Sequence, residues 1–227
     1  YIAYFGRPGD PAGIKYWLSS SSGISSAREF ADKIYAQDEY KKSTVGTKST
    51  EEQVNQLYVN LFGRQADASG LLYWTGEIES GNLSLSNIAY DLIAAANNPL
   101  EANSAQGALD AKALANKVSA AESFTTSLES DTAGILAYQP ESTDPWKSGA
   151  SFASAVSFIA TATDSNAPTA ADVSAAVATM SSAKPSTGSA ASAQTFKFTT
   201  STDALVGDSG NDTFTGVLQA AGATGTT

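Results

Sequence analysis

The sequence contains no cysteine and no histidine among its 227 residues. Without cysteine it can form no disulfide, no zinc-thiolate site and no cysteine nucleophile. Without histidine it cannot build a serine-histidine triad, a histidine-ligated zinc or haem site, or the usual general base for chemistry near neutral pH. These absences argue against the common classes of enzyme, and we predict a role without catalysis.

Long apolar runs and an excess of positive charge are also missing. No segment approaches the roughly 20 apolar residues of a membrane-spanning helix, so we expect no transmembrane insertion. The net charge is −10, and residues 65–227 carry five Lys and Arg against 16 Asp and Glu, whereas residues 1–64 are nearly balanced. An acidic body disfavours nucleic acid as a partner and is compatible with calcium or a salty exterior.

The first half of the sequence contains an internal repeat of the motif Phe-Gly-Arg-x-x-Asp-x-x-Gly-x-x-Tyr-Trp. Copy 1 (residues 1–17) and copy 2 (residues 58–74) are offset by 57 positions. The matched residues are Tyr1, Phe5, Gly6, Arg7, Asp10, Gly13, Tyr16 and Trp17 in copy 1 and Tyr58, Phe62, Gly63, Arg64, Asp67, Gly70, Tyr73 and Trp74 in copy 2. So many matches, including two tryptophans, indicate duplication. Because Tyr1 already belongs to copy 1, we expect the natural chain to begin before it.

Helical spacing of apolar residues dominates the chain up to residue 182, so we predict a mainly α fold there. Each copy is predicted to be a helix ended by glycine, a loop, and a second helix capped by aspartate. The clearest helix covers 51–62, after an N-cap at Ser49 or Thr50. Further helices are predicted from Ser25 through Tyr40, over 83–96, within 100–139, and over 146–161 and 169–180. The predicted α-helical domain, 1–182, comprises repeats over about 1–48 and 49–99 and further helices over 100–182.

The composition changes after residue 182. Residues 183–194 are rich in serine, alanine and glycine, which is typical of a linker. Residues 195–200 then alternate as in a strand, and we predict that a β-rich segment begins at 195 and continues to 227.

Residues 207–215, Gly-Asp-Ser-Gly-Asn-Asp-Thr-Phe-Thr, resemble the calcium-binding RTX nonapeptide Gly-Gly-x-Gly-x-Asp-x-(apolar)-x, with aspartate in place of the second glycine. Glycines let such a turn bend around an ion, and aspartates supply the oxygen ligands that Ca²⁺ prefers. The predicted calcium site comprises Asp203, Gly207, Asp208, Gly210 and Asp212. The alternative is an ordinary hairpin turn rich in aspartate and glycine.

The repeated motif admits a structural and a functional interpretation. In the first, each arginine bonds loop carbonyls or the motif aspartate, and each tryptophan packs between helices. In the second, aromatic faces stack on sugar rings while the charged groups bond hydroxyls. The candidate glycan-binding residues are Arg7, Asp10, Tyr16, Trp17, Arg64, Asp67, Tyr73 and Trp74. Both interpretations can hold together, and we then expect a glycan in a groove between the copies, with the tryptophans beneath it.

The paired motifs, the alanine-rich helix around 115–125 and the RTX-like turn together resemble the N-terminal region of RTX-type bacterial surface-layer proteins. That resemblance implies an extracellular, cell-surface protein exported by type I secretion. It also implies a helical region that anchors to cell-surface polysaccharide, such as lipopolysaccharide O-antigen. The β-rich part would bind calcium and join copies of itself in a two-dimensional lattice. The alternatives are a secreted RTX adhesin or toxin-like protein and an accessory domain of a secreted enzyme.

Overall fold

A computed structural model describes residues 1–43, 45–98, 104–143 and 146–182, and the backbone of residues 195–197 and 213–215. The chain divides into two compact units, Tyr1–Pro185 and Ser186–Thr227, and the division falls inside the predicted linker 183–194. The first unit is mainly helical, as the sequence predicts. Among the described residues, no helix is both long enough and apolar enough to cross a bilayer.

The helices of the first unit follow the chain in order as α1 to α11. They are α1 (Ile2–Phe5), α2 (Pro11–Leu18), α3 (Ala27–Tyr35), α4 (Asp38–Lys41), α5 (Thr50–Phe62), α6 (Ala68–Glu79), α7 (Ile88–Ala96), α8 (Ala105–Glu129), α9 (Thr132–Ala137), α10 (Gly149–Thr161) and α11 (Ala170–Ser182), with a 3-10 turn at Ser20–Ser22. Between α9 and α10, β1 (Ser142–Thr143) and β2 (Trp146–Lys147) pair antiparallel. The sequence does not predict this strand pair, and the helix predicted over 146–161 includes β2.

Helix α5 confirms the clearest prediction. The Ser49 side chain accepts a hydrogen bond from the backbone N–H of Glu52, and the Glu52 side chain accepts one from the backbone N–H of Ser49. This reciprocal capping box satisfies two backbone donors that the first turn of a helix leaves open. At the other end Gly63 has a φ of 72°, a left-handed conformation that glycine adopts without steric cost, and the helix stops there.

Several predicted boundaries are wrong. The helix predicted over 83–96 begins only at Ile88, and the helix predicted over 146–161 begins at Gly149 because the residues before it form β2. The predicted helix that ends at Tyr40 is broken after Tyr35 into α3 and α4. These segments have apolar residues at helical spacing, but turns or strand pairing satisfy their backbone groups instead.

The long helix α8 connects two hydrophobic cores. Leu114 belongs to the first core, which surrounds α5 and contains both copies of the motif. Phe124 and Leu128 belong to the second core, which α10 and α11 complete. Small side chains such as Ala113 and Ala120 are buried on this helix, whereas Leu109 is 44% exposed. Alanines allow neighbouring helices to approach closely, and the bulkier side chain is left on the outside.

The second unit is described through its two strands, β3 (Thr195–Lys197) and β4 (Thr213–Thr215). They pair in parallel, with Thr195 opposite Thr213 and Phe196 opposite Phe214, so paired residues are 18 positions apart. The predicted calcium ligands Asp203, Gly207, Asp208, Gly210 and Asp212 lie outside the described residues. Within the described part of the chain, no group of three or more acidic side chains could hold a metal ion.

Candidate functional site

The two copies of the motif fold in the same way locally. In each, the glycine that ends the first helix has a left-handed φ, 65° in copy 1 and 72° in copy 2. Asp10 accepts a hydrogen bond from the Gly13 N–H at 2.6 Å, and Asp67 accepts one from the Gly70 N–H at 2.8 Å. The predicted capping role of both aspartates is therefore confirmed, and it fixes the direction in which α2 and α6 leave their loops.

The tryptophans support the motif from within. The indole N–H of Trp17 donates to the Tyr1 hydroxyl at 3.1 Å, and that of Trp74 donates to the Tyr58 hydroxyl at 2.8 Å. Both rings are half-buried and pack against the first core. This agrees with the structural interpretation of the tryptophans.

The neighbouring tyrosines face outward. Tyr16 is 50% exposed and Tyr73 is 57% exposed. Each packs edge-to-face against the tryptophan that follows it, with ring centroids 5.0 Å apart for Tyr16 and 4.9 Å apart for Tyr73. Each copy thus presents an exposed aromatic ring on a rigid, half-buried indole.

Arg7 of copy 1 is enclosed. Its guanidinium forms two hydrogen bonds of 2.7 Å with the Glu39 carboxylate, and its Nη1 donates to the Pro8 carbonyl at 3.0 Å. The Tyr138 hydroxyl lies 3.3 Å from the same nitrogen, and the guanidinium carbon is 3.9 Å from the centre of the Phe152 ring. Only 3% of Arg7 is exposed.

Arg64 of copy 2 makes similar bonds but stays accessible. It forms hydrogen bonds of 2.8 and 2.6 Å with the Asp110 carboxylate, and its Nη1 donates to the Gln65 carbonyl at 3.0 Å. The hydrogen bond to Asp110 raises the pKa of Arg64. Asp67 lies 3.6 Å away, and the Arg64 side chain is 26% exposed. The predicted carbonyl bonds of both arginines are confirmed, whereas the predicted pairing with a motif aspartate holds for Arg64 alone.

The two arginines differ in the element that supplies their carboxylate partner. Glu39 of α4 neutralises Arg7, whereas Asp110 of α8 pairs with Arg64. Tyr138 covers the loop of copy 1 by donating to the Pro8 carbonyl at 2.7 Å.

Two grooves flank the motif, one beside each copy. The Arg64 groove has a volume of about 540 Å³, and its wall includes Tyr58, Arg64, Asp67, Tyr73, Trp74 and Asp110. The Arg7 groove also has a volume of about 540 Å³, and its wall includes Arg7, Glu39, Lys42, Trp146, Lys147 and Phe152. Each groove borders a single copy, which differs from the expected groove between the two.

The Arg64 groove brings the candidate residues of copy 2 together. All four of them, Arg64, Asp67, Tyr73 and Trp74, line it, and hydrogen bonds from Ser69 and Gly70 lower the pKa of Asp67, which keeps it ionised at neutral pH.

The structure does not gather the candidates of copy 1 in the same way. Asp10, Tyr16 and Trp17 are not part of the wall of the Arg7 groove. Sequence reasoning missed Asp110 and Gln106 of the Arg64 groove, because both lie in the first turns of the long helix α8, where no local motif marks them.

Comparison with known proteins gives one partial match. A family model described as a domain of unknown function, DUF4214, matches residues 31–100. This stretch is under a third of the chain, contains copy 2 together with α5, α6 and α7, and excludes copy 1. No curated protein and no solved structure matches the chain.

Proposed function

We propose that the helical unit anchors a secreted surface-layer protein to polysaccharide on the surface of the producing cell. The observation that carries this proposal is the Arg64 groove, where an exposed Tyr73 ring lies beside the charged groups of Arg64 and Asp67. Aromatic faces stack on the C–H faces of sugars, while guanidinium and carboxylate groups bond ring hydroxyls. The volume of the Arg64 groove, about 540 Å³, is within the range of small-ligand sites.

The side chains that line the Arg64 groove are already held in place, which also supports binding. Asp67 is fixed by Ser69 and Gly70, and Trp74 is fixed by the Tyr58 hydroxyl, so the polar and aromatic groups are held before a ligand arrives. Preorganised groups lose little conformational entropy when they bind, and this raises affinity.

Binding to membranes that carry the producing cell's polysaccharide tests the proposal. We expect the chain to sediment with vesicles that contain this polysaccharide and to stay in solution with vesicles that lack it. Tyr73→Ala should weaken binding about fivefold to thirtyfold, since stacking on one ring contributes about 1–2 kcal/mol. Tyr16→Ala is the matched control in copy 1, because it removes an equally exposed ring that lines neither groove.

Three outcomes would contradict the proposal. One is an equal distribution of the protein between the two kinds of vesicle. A second is equal weakening by both alanine variants, which would show that binding does not depend on the Arg64 groove. Binding to polysaccharide of foreign cells alone would favour an adhesin instead.

We also propose that the second unit binds Ca²⁺ and mediates the lattice. The parallel register of β3 and β4 supports this, because an offset of 18 positions equals two nonapeptides and the nonapeptide 207–215 contains β4. Consecutive RTX nonapeptides form stacked turns whose aspartates meet at each bend. The residues proposed to hold the ion are Asp203, Gly207, Asp208, Gly210 and Asp212.

Calcium titration of the chain by calorimetry tests this second proposal. We expect binding in the range up to millimolar calcium, and we expect Asp212→Asn to weaken it, because one charged ligand is lost. Glu122→Gln is a suitable control, since Glu122 is an exposed acidic residue on α8. No heat of binding at millimolar calcium, or equal effects of both variants, would refute it.

A further inference from the structure

In copy 1, side chains of the protein itself surround the motif arginine and indicate which groups such a site accepts. The Tyr138 hydroxyl donates to the Pro8 carbonyl at 2.7 Å and lies 3.3 Å from Nη1 of Arg7, so a single hydroxyl bridges these two groups. The ring of Phe152 covers the guanidinium, with 3.9 Å between the guanidinium carbon and the ring centre. A hydroxyl and a ring face thus complete this site.

In copy 2, the motif arginine keeps three of the contacts that it makes in copy 1. Nη1 of Arg64 donates to the Gln65 carbonyl at 3.0 Å, which reproduces the 3.0 Å bond from Arg7 to Pro8. The guanidinium carbon of Arg64 lies 5.2 Å from the Tyr58 ring, and in copy 1 the corresponding distance to Tyr1 is 5.3 Å. In both copies a carboxylate binds the Nε and Nη2 edge. Three matching contacts therefore give the two guanidinium groups the same local orientation.

The aromatic rings that cover the arginine in copy 1 are not repeated in copy 2. Four aromatic rings lie close to the guanidinium of Arg7, whereas within the described residues only Tyr58 lies close to that of Arg64. Arg64 borders the open groove instead, and Gln65 is exposed beside it. Beside Nη1 of Arg64 lies the Asp67 carboxylate, at 3.6 Å, and the groove that both residues line is accessible to a ligand.

We propose that the Arg64 groove binds an uncharged sugar ring, with one hydroxyl between Nη1 of Arg64 and the Gln65 carbonyl and the ring face against the guanidinium. This proposal rests on polysaccharide binding as the function of the helical unit. It adds the place, the orientation and the charge class of the sugar.

The walls of the groove favour a sugar over an aromatic side chain of another protein. Ser69, Gln106 and Asp67 line it, so polar groups are available to further hydroxyls on the same ring. In copy 1 the aromatic filling buries its arginine to 3% exposure, and such a filling suits an apolar enclosure rather than these polar walls.

The charges of the groove favour an uncharged ring. Asp110 already neutralises Arg64 through two hydrogen bonds, and Asp67 adds a further negative charge. An acidic sugar would meet two carboxylates and one paired arginine, which costs electrostatic free energy.

A pair of filling variants tests the proposal. Ser69→Tyr adds a ring at the groove, and Ala12→Tyr adds the same ring at the matching exposed position of copy 1, 57 residues earlier. Affinity for the purified polysaccharide of the producing cell is measured by calorimetry with the full chain. We expect Ser69→Tyr to weaken binding at least about tenfold and Ala12→Tyr to change it less than about twofold, which is under 0.5 kcal/mol.

Two further measurements refine the test. Far-UV circular dichroism of each variant confirms that it is folded. Since an uncharged ligand releases no counterions, affinity should change little when salt is raised from low to high concentration.

The results separate this inference from the proposed function. If Ser69→Tyr and Ala12→Tyr both bind the polysaccharide as the unmodified chain does, anchoring stands and the assignment of the groove is wrong. If the unmodified chain does not bind, both fail. A loss of self-association in Ser69→Tyr with unchanged polysaccharide affinity would show that a protein ring fills the groove. A steep fall in affinity with salt would overturn the uncharged class of sugar.

Discussion

Lys117 is a buried cation whose removal should change how stability depends on pH. It is 2% exposed, and its ammonium group donates one hydrogen bond, at 3.3 Å, to the Ile159 carbonyl near the end of α10. Among the described residues no carboxylate forms an ion pair with it. Burial lowers the pKa of Lys117 from 10.5 to about 8. We therefore predict that Lys117→Met stabilises the protein near neutral pH.

The sign of the pH effect follows from proton binding. A lysine whose pKa is lower in the folded state loses its proton first in that state, so the free energy of unfolding rises as the pH passes from about 8 towards 10.5. With these two pKa values, the free energy of unfolding rises by about 2 kcal/mol between about pH 7 and pH 9.5, and the full shift in pKa corresponds to about 3 kcal/mol. Lys117→Met should lack this gain, because methionine does not titrate.

Urea unfolding followed by circular dichroism at the two pH values measures the effect. The matched control is Lys112→Met, which removes an exposed lysine from the same helix and should keep the gain of the unmodified protein. The upper pH, about 9.5, lies below the ordinary tyrosine pKa of about 10, and burial raises the pKa of Tyr138 further, to about 12. If Lys117→Met and the unmodified protein show parallel pH profiles, the cost assigned to the buried ammonium is wrong.

Two further predictions concern the arginine and tryptophan contacts. Arg7→Ala should lower the free energy of unfolding by about 3–5 kcal/mol, because it leaves the Glu39 carboxylate unpaired, whereas Arg64→Ala should cost about 1–3 kcal/mol at its more exposed site. Urea unfolding compares them, and equal losses would contradict the difference in burial. Trp74→Phe should cost about 1 kcal/mol beyond the change in packing, through the lost bond to the Tyr58 hydroxyl. A double-mutant cycle with Tyr58→Phe measures the coupling, and a coupling of zero would show that this bond does not stabilise the loop.

The parts of the fold that depend on nearby residues could be predicted from the sequence. The start of α5 follows from Ser49 and Glu52, and the loops of both copies follow from a glycine stop and an aspartate cap within a few positions. The helix boundaries that were predicted wrongly, and the burial of single residues, depend on remote contacts. Whether Leu109 is buried depends on which face of α8 meets its neighbours, and the buried alanines of that helix decide this.

The candidate site shows the same division. Its aromatic and charged residues were identifiable because the motif repeats, but the partners of the arginines lie 32 and 46 residues further along the chain. No local motif in the sequence marks Asp110, since its role depends on how α8 packs against the loop of copy 2.

The continuity of α8 has a mechanical consequence. A helix of 25 residues is about 37 Å long at 1.5 Å per residue, and it carries Asp110 near one end and Leu128 near the other. A pulling force that reaches the second core is therefore transmitted along a single rod to the carboxylate that holds Arg64, with no intervening hinge. Under the proposed anchoring function, we therefore expect the bound polysaccharide to be released when the helical unit unfolds and not before.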